Sequence, residues 1–237
     1  MAPQKSARLA GALFVITFIT SIPALALYND VLNETHFIVG AGNDTKVFLG
    51  AFLELLLIVA NLGTALVLYP VLKRENEPLA LGYVAARTME SVFIAIGIVS
   101  VLSIVTLQQD AGLHAAALVP IGASLVAVHD WTFLLGPGFV VGIGNGLILG
   151  YLMYRSALVP RRLAVLGMIG GALICASGVA VLFGAFDKGS LPQGIATIPE
   201  FIWELALGIY LFVKGFRPAA VTALYAAPVD GPVAEPV

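Results

Sequence analysis

Residues 46–69 read KVFLGAFLELLLIVANLGTALVLY, and this stretch decides the fold. Between its ends it carries one carboxylate, Glu54, and one amide, Asn61, among side chains that are otherwise apolar or small. As a helix rising about 1.5 Å per residue it reaches about 36 Å, enough to cross a hydrocarbon core of about 30 Å. A helix that is apolar on every side has no face to turn to water, so its solvent is lipid.

Working outward, five more stretches have the same character. They run from about Leu9 to Leu27, Leu79 to Leu107, Ile121 to Tyr154, Leu163 to Phe186 and Ile198 to Val213. The third and fourth spans exceed what a perpendicular crossing needs, so tilt or an emergent end is expected. Pro70 is read as closing the second span. The chain of 237 residues is 59% hydrophobic and 11% charged, with a mean hydropathy of +0.99. A soluble domain carries about a quarter charged residues, so the expected fold class is an all-α integral membrane protein, a six-transmembrane-helix bundle. Residues 1–217 form the membrane domain in this reading. Residues 218–237, rich in Ala, Pro and Val, are expected to be a disordered cytoplasmic tail.

The first segment has a second reading. Lys5 and Arg8 precede it, and Ala24, Leu25 and Ala26 resemble a signal-peptide cleavage pattern. Its apolar run is longer than a signal core usually is, and a retained span is the expectation.

Basic residues near the span ends give the orientation. With the N-terminus inside, nine face the cytoplasm: Lys5, Arg8, Lys73, Arg74, Arg155, Arg161, Arg162, Lys214 and Arg217. Two, Lys46 and Lys188, lie outside, and Arg87 is within a span. Both termini are therefore expected in the cytoplasm, with the chain in a bacterial plasma (inner) membrane. No run of Lys and Arg resembles a nucleic-acid surface, and nucleic acid is not an expected partner. Membrane lipids are.

An ionisable side chain at depth costs about 2.5–3.5 kcal/mol on insertion scales, so those that remain ask for a reason. Glu54 and Asn61 are seven apart on one face of the second span. Arg87 and Glu90, three apart, share a face of the third. His129 and Asp130 lie on the fourth, and Glu200 and Glu204 flank Trp203 on the sixth. Counted from the span ends, Glu90 is about 15 Å deep and Glu54 about 12 Å. The carboxylates of Glu54, Glu90, Asp130, Glu200 and Glu204 can thus meet at one level, facing Arg87 and a titratable His129. Either some of them carry protons, or a cationic ligand joins them, or water reaches them. The plainer alternative is a structural clamp of Arg87 with Glu90 or Glu54, since polar groups between membrane helices commonly hold them together. The candidate ligand-binding set is Arg87, Glu90, Glu54, Asp130, Glu204, Glu200, Asn61, His129 and Trp203.

Glycine is the second theme. Gly136-Pro137-Gly138 can kink the fourth span, and Gly142, Gly144, Gly146 and Gly150 can let helices approach closely, within the chain or between copies. Gly167, Gly170 and Gly171 read the same way. A three-His zinc site would need His36, His114 and His129 to converge from separate segments, and one cysteine, Cys175, excludes a Cys-based one. No metal or cofactor is expected.

Several motifs carry a resemblance. Ala7-Arg8-x-x-Gly11, Ala86-Arg87-x-x-Glu90, Tyr154-Arg155 through Pro160-Arg161, and Pro199-Glu200-x-x-Trp203-Glu204 stand in order along the chain. This pattern resembles a bacterial family of six-helix membrane proteins classified as a domain of unknown function. The resemblance implies six spans and an uncleaved first segment. It implies no reaction. The functions in contention are binding or transport of a proton, cation or small polar ligand, an accessory role in a membrane complex, and an enzyme acting on lipid or quinone.

Overall fold

The computed structural model describes residues 2–40, 44–109 and 115–226. Six helices are long and apolar enough to cross a membrane: α1 (Pro3–Leu27), α2 (Asp44–Leu72), α3 (Glu77–Gln108), α4 (Ala117–Ser156), α5 (Arg161–Leu182) and α6 (Leu191–Val213). The chain is a multi-pass membrane protein of the all-α class. A seventh helix, α7 (Pro218–Ala226), follows. Local chemistry sets several ends. The Asn76 side chain accepts from Leu79 N at 2.9 Å and, with Pro78 behind it, starts α3. Gly184, at φ +70°, turns the chain out of α5 where L side chains are strained.

Each helix packs on the next, and α6 returns to α1, so the six spans close a ring. The closure is tight because Gly11 leaves no side chain in the way: a methyl there would lie 2.7 Å from Gly208 O on α6. The two chain ends are also tied. Gln4 Nε2 donates to Phe216 O at 2.7 Å, and Phe216 N donates to Gln4 Oε1 at 3.0 Å. Two apolar cores cap the ring. One, at the end bearing both termini, is built on Phe14, Leu68, Tyr83, Leu149 and Trp203. The other, at the far end, gathers Tyr28, Phe37, Val47, Val101 and Ile104. Outward faces are apolar as well: Val59 is 67% exposed and Leu66 64%. Only hydrocarbon satisfies such a surface. At the far end Lys46 Nζ binds Asp30 Oδ2 at 2.8 Å, and that hydrogen bond holds the Asp30 carboxyl below its usual range.

The structure moves several boundaries, among them the start of the first span, which lies at Pro3 rather than Leu9. Pro70 does not close α2, which runs on to Leu72 because a proline near a helix end disturbs few hydrogen bonds. The fifth span stops at Leu182 rather than Phe186, at the Gly184 turn. The sixth begins at Leu191 rather than Ile198, since Pro192 suits the first turn of a helix although the sequence around it is polar. Residues 218–226 are helical rather than irregular. Leu224 packs into the core at that end, and Arg74 lies over the Tyr225 ring at 3.9 Å. The rest of the expected tail, 227–237, lies outside the described residues, as does His114.

The glycine-rich part of α4 is not broken, and the helix is continuous from Ala117 to Ser156. It widens, with π-helical turns over Leu134–Val140 and Gly142–Leu149. Pro137 has no N–H to give and its ring crowds the preceding turn, which favours the wider register. The glycines of this stretch face neighbours in the same chain. A methyl on Gly144 would lie 2.7 Å from Ala86 Cβ of α3, and one on Gly146 2.7 Å from Gly171 N of α5.

Candidate functional site

Between the two apolar caps lies a partly open cavity of about 200 Å³ to which all six spans contribute. Its polar wall starts with a closed cycle across α2 and α3. Arg87 Nη1 donates to Glu90 Oε2 at 2.7 Å and Arg87 Nη2 to Asn61 Oδ1 at 2.6 Å. Asn61 Nδ2 completes the cycle on Glu90 Oε1 at 2.9 Å. The spacing of three on α3 puts the guanidinium beside its carboxylate, and α2 presents Asn61 at the same height. Arg87 is 2% exposed and Glu90 5%, so these charges stay at depth only because they are paired and hydrogen-bonded. Thr64 and Tyr83 stand behind them, with Thr64 Oγ1 donating to Asn61 O at 2.7 Å and lying 3.4 Å from the Tyr83 hydroxyl.

The sixth span brings two more carboxylates. Glu204 Oε1 is 4.0 Å from Arg87 Nη1 and accepts from Asn145 Nδ2 of α4. Its side chain keeps 18% of its surface exposed. Glu200, one helical turn away, is 2% exposed, and neither of its carboxylate oxygens has a hydrogen-bond partner. Gly146 and Gly170 make the space it occupies, for a methyl on either would sit 2.7 Å from Glu200 Oε2. The glycine seam therefore serves a carboxylate as well as helix packing. Glu54 lines the cavity nearer the far end and accepts from the Tyr28 hydroxyl at 3.0 Å. Burial first, and the Glu54 charge second, push the Tyr28 hydroxyl above its usual range, which keeps it a donor.

The remaining candidates part company. His129 lines the cavity, edge-on to Tyr28 at 5.8 Å and stacked on Phe133 at 6.4 Å, and its Nδ1 has no hydrogen-bond partner. Asp130 pairs through Oδ2 with Lys188 in the α5–α6 connection, keeps Oδ1 3.9 Å from His129 Nδ1, and does not itself line the cavity. Trp203 is fully buried, fits against Gly167 and donates its Nε1 to Asn145 O at 3.0 Å. It braces α6 on α4 and does not face the space. Among the described residues no group of three His, Cys, Asp or Glu side chains converges as a metal cradle.

Sequence reasoning missed Tyr28 and the aromatic wall. Phe18 and Phe201 meet edge to face at 4.9 Å, with Phe93 and Phe133 also lining the cavity. A phenylalanine in an apolar span is indistinguishable from one facing lipid, so no signal marked these four. Tyr28, just past the end of a span, carried the weak signal of any interfacial aromatic.

The family described as Domain of unknown function (DUF4386) matches residues 9–215. The chain belongs to the DUF4386 family. The match runs from the second turn of α1 to the turn after α6, so every cavity-lining residue of this DUF4386 protein lies within it. No curated protein and no solved structure matches the chain.

Proposed function

We propose that this protein binds a proton or a small cation in an acidic intramembrane cavity, as the binding step of a carrier or sensor. It does so in a plasma membrane with both termini on the cytoplasmic side. One observation carries the reading. The single guanidinium at the cavity is already paired with Glu90, yet Glu204, Glu200 and Glu54 also line the space. An apolar cavity wall with this excess of carboxylates is not balanced until protons or a cation join it. The orientation rests on the nine basic residues grouped at the end that bears both termini, against Lys46 and Lys188 at the other.

The Arg87–Asn61–Glu90 cycle favours a different role for those three. Their mutual hydrogen bonds join α2 to α3 and leave Arg87 Nε as the one nitrogen or oxygen among them that is buried without a partner. They form a clamp that holds the wall, while Glu204, Glu200 and Glu54 remain for binding.

The test is thermal unfolding of purified protein from pH 5 to 9, with and without added sodium, potassium or ammonium. The melting temperature is expected to depend on pH or cation, and Glu200→Gln with Glu204→Gln to flatten that dependence. A wild-type profile that is indifferent to both, or one the double variant leaves unchanged, would count decisively against the cavity as a cation or proton site.

A further inference from the structure

The shape of the cavity says more than its charge. Besides the acids, the lining carries Phe18, Phe93, Phe133 and Phe201, with Leu57 and Ile174, alongside His129 and a few hydroxyls. A bare ion would leave this apolar portion empty. A volume of about 200 Å³ exceeds by a modest margin the roughly 150 Å³ hole that takes one benzene. It therefore has room for a single ring with a short chain.

The polar atoms left without partners give the chemistry of the other end. Among the cavity-lining residues Glu200 Oε1 and Oε2 are acceptors, Arg87 Nε is a donor and His129 Nδ1 can be either. The buried, unpartnered Glu200 side chain is itself a wall residue of the cavity. A protonated amine offers three donors and a positive charge, which matches an acceptor-rich, anionic corner. Aromatic faces in the same lining add cation–π attraction.

We infer that the ligand is a monoamine carrying one aromatic or comparable apolar ring, its ammonium at Glu204 and Glu200 and its ring among Phe18, Phe93, Phe133 and Phe201. This rests on the cavity being a cation site and adds the class of cation.

The experiment uses the full chain in lipid nanodiscs at pH 7 and three probes matched in parts. 2-Phenylethylamine has ring and charge, 2-phenylethanol has the ring alone, and methylamine has the charge alone. Calorimetric titration and melting temperature are read for each. Saturable binding of 2-phenylethylamine at least tenfold tighter than either partial probe is expected, with a rise of several degrees in melting temperature. Glu204→Gln is expected to weaken 2-phenylethylamine at least tenfold. Phe201→Leu weakens it severalfold and leaves methylamine unaffected. The wild-type comparison of the three probes decides the matter even if a variant fails to fold. Methylamine binding as well as 2-phenylethylamine overturns the ring-bearing class and leaves the cation site standing. Equal binding of 2-phenylethanol shows an apolar hole indifferent to charge and overturns the amine assignment. Binding of none of the probes, together with indifference to pH and inorganic cations, overturns both readings.

Discussion

At the scale of single residues, the asymmetry between making and breaking a buried hydrogen bond governs what substitutions do. Asn61 joins Arg87 to Glu90 through both ends of its amide. Asn61→Ala leaves a guanidinium nitrogen and a carboxylate oxygen unsatisfied in a dry place, and a loss of about 1–3 kcal/mol is expected for each such group. Unfolding of the purified protein by a denaturing detergent reads this directly. A loss below about 0.5 kcal/mol would mean that water already reaches the cycle. Glu54→Gln is the contrasting case. The amide oxygen still accepts from Tyr28, so stability should change by less than about 1 kcal/mol in the same measurement. The charge at depth disappears, and binding of a cation should weaken.

Helices α4 and α5 show what decides packing at the scale of elements. Their backbones touch because Gly142, Gly146 and Gly171 have no side chains, and each would collide with backbone or a short side chain if it gained one. Gly146→Ala has nowhere to move, since its neighbours are Gly171 backbone and the Glu200 carboxylate. A cost of about 1–3 kcal/mol is expected from overpacking, together with a displaced Glu200. Gly194→Ala supplies the internal comparison. Nothing lies within 4 Å of its new methyl, and alanine in a helix gains about 0.5–1 kcal/mol over glycine. Opposite shifts in melting temperature for these two changes are the expected result. The sequence showed the glycines clearly, yet it did not say which neighbour each one admits. Spacing along one helix carries no information about the helix across the gap.

For the whole molecule, the arrangement of charge and the closing of the ring are the testable features. Cys175 is the one cysteine of the chain. A Cys175→Ser background therefore allows a single cysteine to be placed at Lys73 or at Lys188, at opposite ends of the bundle. In intact cells a membrane-impermeant maleimide should label the Lys188→Cys protein and spare Lys73→Cys. The reverse pattern would invert the proposed orientation. The α7 helix is the other global device, for it covers the end where the termini meet. Leu224→Ala removes a buried contact there, and a loss near the lower end of the 2–5 kcal/mol range is expected because the site is at the margin of the core.

Hydropathy and length were sufficient for six helices and the membrane, because each is a property of the chain read locally against one solvent, while the ordered motifs carried the family resemblance. The cost of burying charge also singled out Arg87, Glu90, Glu54, Glu200 and Glu204 before any fold was known. Counting residues along each helix gave approximate depths, and all five line one cavity, with Glu54 nearer its far end. Rotation about each helix axis and the choice of neighbours were not legible. Only the tertiary structure decided that Asn61 closes a cycle with Arg87 and Glu90, and that Asp130 pairs with Lys188 while Tyr28 reaches Glu54. It also decided that Phe18, Phe93, Phe133 and Phe201 contribute to the cavity lining, the last two while remaining partly exposed. In a hydrocarbon solvent an apolar side chain is equally content inside or outside the bundle. Its direction is therefore set by packing between helices, which the linear sequence does not display.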